Sequence, residues 1–174
     1  MSFSIYDASA PIFVNVFVNL QNLLDKALAE GKDEKALMEA RLAPDMYPLS
    51  KQIQIASDTA KGCIARLAGV DAPAMADTET SFAELKARCQ KTIDFIQGVG
   101  RSALDGADAR EVVVRFPNGM GYRFAGKDYL TGFALPNFFF HATTTYALLR
   151  AAGVNVGKPD FLAHLGQPVQ LDAA

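Results

Sequence analysis

Four long segments whose apolar residues recur at helical spacing constrain the fold of this chain most strongly. In each segment the apolar positions lie three or four residues apart, which places them on one side of a helix. The 174 residues fit one domain that is long enough to bury a core without disulfides or metals. We therefore predict an all-α four-helix bundle over residues 1–174. The predicted helices cover about 6–29, 48–67, 81–98 and 127–153.

Glycines and a capping sequence mark the ends of these helices. Gly31 follows the first helix and Gly69 follows the second, where a left-handed residue commonly ends a helix. In "TETSFAEL", Ser81 and Glu84 have the spacing of a capping box, so the third helix is predicted to begin there. The segments "DEKALMEA" and "PDFLAHL" each predict a short helical turn outside the four long helices.

The sequence pattern changes before the last helix. The segment "EVVVRFPNGMGYRFAG" has β-branched and aromatic residues on both sides of the turn sequence "PNGMG". We therefore expect a small β-hairpin at about residues 111–125, inserted before the last helix. Residues 155–174 are predicted to form an irregular C-terminal tail.

Charge and composition exclude several classes of function. The net charge is −2 and no basic run is present, so binding to nucleic acid or to an acidic membrane is not expected. The apolar run "PIFVNVFVNL" is too short to span a bilayer, and Asn15 and Asn19 interrupt it. The pattern of a signal peptide is absent, and Cys63 and Cys89 lack the spacing of a redox or metal motif. We expect a reduced, cytoplasmic protein with two buried thiols.

The first and last helices carry more apolar surface than one core face requires. Asn15, Asn19 and Asn22 form a single polar stripe on the first helix, and most of its remaining surface is apolar. Residues 138–140 are three consecutive phenylalanines, which span about 200° of the last helix. At least one of them must leave the core and find another cover. A homodimer formed through helices is the simplest expectation.

The last helix also contains a polar pair on one face. Asn137 and His141 are four residues apart, so one lies above the other. Pro136 precedes them inside the predicted helix, where its ring displaces the carbonyl of Gly132 and bends the helix. A bend beside a polar pair is typical of a functional site.

The sequence "NFFFHATTTYALLRAAGV" resembles the last-helix signature of the DinB/YfiT-like superfamily of four-helix bundles. That signature has two histidines at i and i+4, followed by Leu-Arg and then Gly-Val. Alignment on these later residues places the second histidine on His141 and the first on Asn137. The superfamily's third histidine lies on the second helix, and "QIASD" places Gln54 there. The segments "APDMYPL", "QIQIASDTAKG" and "GKPDFL" indicate a branch with a domain of unknown function.

The resemblance implies a bundle that is often a homodimer and that holds a divalent metal through three histidines. Several members are thiol-dependent transferases or isomerases. This chain has two histidines in all, so such a triad cannot form within it. Gln54 and Asn137 offer only neutral amide oxygens, which bind zinc or nickel poorly compared with imidazole. We therefore expect a degenerate site of Gln54, Asn137 and His141 and no cofactor, with zinc and nickel as the metals to test.

Three interpretations of this polar cluster remain open. Asp58 lies one turn beyond Gln54 on the same face and joins it in the predicted pocket. The cluster is a buried hydrogen-bonded network left from a metal site, a metal-free pocket for a small organic ligand, or the site of an enzyme. In the last case the enzyme is a metal- or thiol-dependent transferase or hydrolase that uses His141. The sequence contains no visible nucleophile–base pair, so it predicts no reaction.

Three other residues have simpler interpretations. Arg150 is a cation in the last turn of its helix, where it favours the helix dipole. Tyr146 is predicted to be a core aromatic residue with a hydrogen-bonded hydroxyl. His164, in the tail, is expected to be partly exposed and without a function.

Overall fold

The computed structural model describes residues 3–171 and consists mainly of helices. The last three residues of the predicted tail, 172–174, lie outside the described part, as do the first two residues of the chain. Two 3-10 turns, Arg101–Leu104 and Ala163–Leu165, supplement the helices. The helices are α1 Ala10–Ala29, α2 Glu34–Met38, α3 Leu49–Ala68, α4 Phe82–Gly98, α5 Gly126–Tyr129, α6 Leu135–Ala151 and α7 Lys158–Phe161.

The four long helices α1, α3, α4 and α6 form the predicted bundle. Each packs against two others, so the contacts run from α1 to α4, then to α3, to α6 and back to α1. Their ends agree with the sequence signals. The Ser81 hydroxyl accepts a hydrogen bond from the backbone N–H of Glu84 at the start of α4, and Gly69 ends α3 with a φ of +72°.

Aromatic side chains join α1 to α6 at the centre of the bundle. Phe138 packs edge-on against Phe13 and Phe17, with ring centroids 4.8 and 5.4 Å apart. All three rings are fully buried, and each such side chain contributes about 1.5–3 kcal/mol to the free energy of unfolding. Although α1 is apolar over much of its surface, no helix within residues 3–171 has the length and hydropathy needed to cross a membrane.

The three consecutive phenylalanines face different surroundings, as the helical spacing requires. Phe138 lies in the core, and Phe139 is half-buried. Phe140 leaves the core and is 57% exposed. The chain itself therefore covers two of the three rings.

The helix bend predicted at Pro136 takes the form of a π-helical segment, Leu130–Ala134, between α5 and α6. The backbone N–H of Leu135 donates to the carbonyl of Leu130, five residues earlier. Pro136 has no N–H to continue the ordinary pattern, and it occupies the first turn of α6, where none is needed. The wide turn therefore lies just before the proline.

The predicted β-hairpin is present before the last long helix. Its strands, β1 Glu111–Arg115 and β2 Gly121–Ala125, pair antiparallel. In the connecting turn, the N–H of Phe116 donates to the carbonyl of Met120 over 2.8 Å. Gly119 has a φ of +80°, which a residue with a side chain rarely adopts.

One face of the hairpin packs on the end of the bundle. Val112 and Val114 are buried, and Phe124 pairs with Val112 across the strands. The ring of Phe124 contacts those of Tyr129 and Phe133, with centroids 5.9 Å apart in both cases. The hairpin is thus attached to the segment that leads into α6.

The chain passes very close to itself where α5 begins, and this predicts a contrast between two glycines. A Cβ at Gly126 would overlap the carbonyl oxygen of Ala107, whereas a Cβ at Gly132 would meet nothing outside its own helix. We expect Gly126→Ala to lower the free energy of unfolding by about 2–3 kcal/mol, because the backbone must move. Gly132→Ala should leave it unchanged or raise it by up to about 1 kcal/mol. Urea denaturation of both variants tests this contrast, and equal effects would contradict it.

Candidate functional site

His141 of α6 forms a hydrogen bond to Gln52 of α3, and this bond defines the state of the imidazole. The Nδ1 atom lies 2.7 Å from Oε1 of Gln52. The amide nitrogen of Gln52 donates to the carbonyl of Tyr47 over 2.9 Å, so the amide oxygen faces the histidine. Nδ1 must therefore be the donor, and Nε2 keeps its lone pair in the neutral ring.

Burial keeps His141 in this neutral form. The residue is only 8% exposed, and burial lowers the pKa of the imidazole below its ordinary value. The edge of the Phe140 ring packs against it, with centroids 5.2 Å apart. The hydroxyl of Thr145 donates to the backbone carbonyl of His141, so this buried hydroxyl has its hydrogen-bond partner within α6. His141 is therefore a neutral hydrogen-bonded group at neutral pH.

Asn137 forms the second polar contact between the same two helices. Its amide nitrogen donates to the hydroxyl of Thr59 over 2.9 Å. Both residues are half-buried, one turn of α6 away from the histidine. We call Gln52, Thr59, Asn137 and His141 together the α3–α6 polar seam.

Gln54 and Asp58 were predicted to lie beside His141, but the structure does not bring them to this seam. The amide nitrogen of Gln54 donates to Glu79 over 2.8 Å. Asp58 accepts from Arg88 over 2.8 Å. The physical reason is helical rotation, because Gln52 and Gln54 are about 200° apart on α3. Gln52 therefore occupies the place beside His141 that the resemblance assigned to Gln54.

The polar cluster between α3 and α4 is centred on Arg88, a residue that the sequence pattern did not single out. The side chain of Arg88 is only 1% exposed and lies 2.8–3.0 Å from carboxylate oxygens of Asp58, Asp77 and Glu79. It also donates to the carbonyl of Ala76, so it holds the loop before α4 against α3. The sequence signal was an arginine beside Cys89 in the apolar stripe of α4.

Two lysines, Lys51 and Lys61, balance the excess negative charge of the carboxylates around Arg88. Lys51 hydrogen-bonds Asp77, and together with Arg88 it holds the pKa of that carboxyl below its usual range. Lys61 pairs with Asp58 over 2.9 Å. A cavity of about 630 Å³ lies beside this cluster, between α4 and residues 73–79. The cluster fixes a long loop by pairing a buried cation with three carboxylates, although Nε of Arg88 has no hydrogen-bond partner among the described residues.

The donor groups of the α3–α6 polar seam do not fit zinc or nickel. One imidazole nitrogen, two amide groups and one hydroxyl provide no negative charge and no second imidazole. The described residues also contain no group of three or more His, Cys, Asp or Glu side chains that could hold a metal ion. A metal-based mechanism has no suitable ligand set at this position.

The structure also places the three other residues that the sequence analysis interpreted. Arg150 is exposed in the last turn of α6. Tyr146 is half-buried and packs edge-on against Phe161, and its hydroxyl makes none of the side-chain hydrogen bonds found within residues 3–171. His164 is exposed but not idle, because its Nδ1 lies 2.9 Å from the amide nitrogen of Asn19. The histidine and the asparagine are far apart in sequence, so local spacing carried no signal for this contact.

Asn19 attaches the C-terminal segment to α1. Its amide nitrogen also donates to the carbonyl of Phe161 over 2.7 Å, which orients the amide. His164 must then accept through Nδ1. The Oδ1 atom of Asn19 is buried and has no hydrogen-bond partner, and such an acceptor costs about 1–3 kcal/mol.

A solved structure with the same architecture defines the class of protein. The crystal structure of a DinB family member protein from Shewanella denitrificans is similar to this one, with a TM-score of 0.84. The sequence identity is 34%, and the likeness covers 98% of this chain and 96% of that chain. The fold is therefore that of a DinB-like four-helix bundle.

A family model identifies the branch. The chain belongs to the DUF1993 family, whose model, described as a domain of unknown function, matches residues 5–162. The expected resemblance to an unassigned DinB-like branch is thus confirmed. No match was found among the curated proteins.

The lowered pKa of His141 predicts an acid-dependent loss of stability. Because the pKa is lower in the folded protein, the unfolded chain takes up a proton first as the pH falls below about 6.5. The free energy of unfolding should therefore fall between pH 7 and pH 5, by at most about 1.4 kcal/mol per pH unit for this one group. In His141→Gln the fall should be shallower, because the substituted side chain takes up no proton in either the folded or the unfolded state. If the free energy of unfolding, measured by urea denaturation, falls equally with pH in both proteins, the acid-dependent loss does not come from His141.

Proposed function

We propose that this protein is a DinB-family bundle that acts without a metal, and that the α3–α6 polar seam is a hydrogen-bonded network in place of a metal centre. The observation that carries the proposal is the bond from His141 to Gln52, whose amide is oriented by the Tyr47 carbonyl. An imidazole nitrogen that donates to an amide cannot bind a metal through the same atom. The network instead joins two long helices with neutral partners.

The replaced positions support the same proposal. In the superfamily signature, Asn137 stands where the first of two histidines is expected. The contact of Gln52 with His141 supports Gln52, rather than Gln54, as the counterpart of the histidine of the second helix. Two imidazoles are thus exchanged for amides, which pair with neighbouring side chains and the backbone. Buried polar groups are stable only when paired in this way.

An organic ligand or an enzymatic reaction at His141 is the second candidate. The free lone pair of Nε2 and the lowered pKa favour it, since both suit a hydrogen-bond acceptor or a general base. However, none of the cavities described here is lined by His141. The two cysteines of the chain are buried, and burial raises the pKa of the Cys89 thiol to about 12. Neither of them supplies a thiolate to this site.

Metal binding tests the proposal directly. We expect untagged protein to contain far less than one equivalent of metal by elemental mass spectrometry. Zinc, nickel or manganese should not raise its melting temperature. Stoichiometric metal, or a shift that disappears in His141→Ala, would overturn the proposal.

A double variant that restores two histidines to the polar seam should bind metal in the same experiment. Gln52→His combined with Asn137→His should bind zinc or nickel, because it returns two imidazoles to the face of His141. At a hundredfold excess over the dissociation constant the gain is about 2.7 kcal/mol, or roughly 5–10 °C. The matched control, Gln54→His with Asn137→His, should show a smaller shift, since position 54 faces Glu79 and only the pair at 137 and 141 can bind the metal. A shift in the control alone would return Gln54 to the site.

We further propose that the protein is a homodimer that uses the exposed apolar residues beside the seam. Phe140 is 57% and Tyr47 is 58% exposed, and both flank the His141–Gln52 pair. Exposed aromatic side chains of this kind favour association, and a symmetric pair of chains is the simplest closure. The support is the exposure of these side chains.

Light scattering tests the dimer. We expect about twice the 18.7 kDa chain mass at micromolar concentration. Phe140→Glu should reduce the mass to that of one chain, because it places a charge in an apolar contact. Met120→Glu, on the exposed turn of the hairpin, is the matched control and should remain dimeric. A monomeric wild-type protein would remove this proposal and leave the metal-free network intact.

A reduced, cytoplasmic location belongs to the same proposal. Cys63 and Cys89 are both free and buried, so the protein gains nothing from an oxidising compartment. Burial also raises the pKa of the Cys63 thiol. Both behave as small apolar side chains of the core.

A further inference from the structure

The C-terminal segment, residues 157–165, is held on the bundle largely by polar contacts. Neither α7 nor the 3-10 turn that follows it contains a buried residue. Lys26 of α1 pairs with Asp160 over 3.0 Å, and the ring of Phe161 packs edge-on against Tyr146 of α6. A segment with so little buried apolar surface opens at lower cost than the helices of the core. Its polar contacts with α1 therefore strongly influence whether it stays closed.

Asn19 makes two of these polar contacts through a single amide nitrogen. One hydrogen of Nδ2 goes to the carbonyl of Phe161 over 2.7 Å, and the other goes to Nδ1 of His164 over 2.9 Å. Nδ1 can accept a hydrogen only while the imidazole is neutral and carries its proton on Nε2. The contact between Asn19 and His164 thus requires one protonation state of the histidine.

A second proton on His164 reverses the polarity of this contact. Nδ1 then carries a hydrogen that points at the Asn19 amide nitrogen, and two donors face each other. Rotation of the amide would offer Oδ1 to the histidine, but it would take Nδ2 away from the carbonyl of Phe161. Asn19 is only 1% exposed, so water does not replace the lost partner while the segment is closed. Proton uptake therefore removes at least one of the two hydrogen bonds.

The unpaired oxygen of Asn19 makes the closed segment less stable still. Oδ1 is buried and has no hydrogen-bond partner among the described residues. Both partners of the Asn19 amide belong to the C-terminal segment, so water reaches this side chain when the segment lifts away. Hydration of Oδ1 favours the open segment at every pH. The margin that keeps the segment closed is therefore small enough for the loss of one hydrogen bond to matter.

We propose that Asn19 and His164 form a pH-sensitive latch, which holds the C-terminal segment on α1 when the histidine is neutral and releases it when the histidine is protonated. Release uncovers apolar side chains that lie against the segment, among them Val16 of α1 and Phe139 of α6. The latch shares no residue with the α3–α6 polar seam, so it does not depend on the function proposed there.

His164 is the group that responds to mild acid at this place. The other ionisable side chains of α1, of α7 and of the side of α6 that packs on Phe161 are Asp25, Lys26, Tyr146, Lys158 and Asp160. The backbone N–H of Gly157 and the ammonium of Lys26 hold the pKa of Asp160 below its usual range. Aspartate, lysine and tyrosine side chains ordinarily titrate outside pH 5–8, whereas histidine titrates within it.

Hydrogen exchange of the backbone amides, corrected for the intrinsic rate at each pH, measures the release. The amides of residues 160–162 donate to carbonyls within the segment, so their protection reports its opening. Between about pH 7.5 and about pH 5.5 we expect their protection factors to fall roughly tenfold. Unchanged protection over this range would overturn the proposal. Protection equal to that of the core amides would show that the segment does not open by itself, which would also overturn it.

The two histidines of the chain provide a matched pair of variants. His164→Gln keeps an acceptor for the Asn19 amide that takes up no proton, and position 164 is exposed, so the fold is preserved. The protection of the segment in this variant should not change with pH. In His141→Gln, which removes the other histidine, the roughly tenfold fall should remain. A fall that persists in His164→Gln, or that disappears in His141→Gln, would refute the latch.

The asparagine stripe of α1 provides a second matched pair. Asn19→Leu removes the amide, so protonation of His164 no longer breaks a hydrogen bond and the pH dependence of the protection should be lost. Asn22→Leu, at an exposed position of the same helix, should keep the wild-type dependence. A wild-type response in Asn19→Leu would show that Asn19 is not the partner and would refute the proposal.

Discussion

The position of α3 between α4 and α6 is the constraint on which the rest of the structure depends. A helix packed on two sides must find partners for the polar side chains of both faces, away from water. Toward α6, Gln52 pairs with His141. Toward α4, the hydroxyls of Ser57 and Thr92 are 2.8 Å apart, and Asp58 meets Arg88. The two polar clusters are thus consequences of one packing arrangement.

Much of the fold was predictable from the sequence, because its signals are local. The glycine at position 69, the capping pair at 81 and 84 and the hairpin turn at 119 each act within a few residues. Apolar spacing then identifies the helices that must bury a face. The class of bundle and its family followed from the last-helix signature, and both are confirmed.

The candidate site was less predictable, because it depends on rotation and on distant contacts. Positions 52 and 54 are both glutamine, so the sequence alone does not distinguish them. Only the packing of the helix determines which of the two reaches His141. A buried Arg88 looks like a surface arginine until the loop that covers it is in place. The contact of Asn19 with His164 joins opposite ends of the chain. These contacts join residues that are distant in sequence, so no local sequence pattern indicates them.

The π-helical segment before Pro136 has a consequence for how the two halves of this long helix are arranged. One added residue in a helix is equivalent to a phase shift of about 100° between the surfaces before and after it. Tyr129, before that point, faces the hairpin, while His141, after it, faces α3. Deletion of a single residue from this turn would restore one continuous phase. The hairpin and the polar seam would then no longer both face their present partners, so this turn sets the angle between the two.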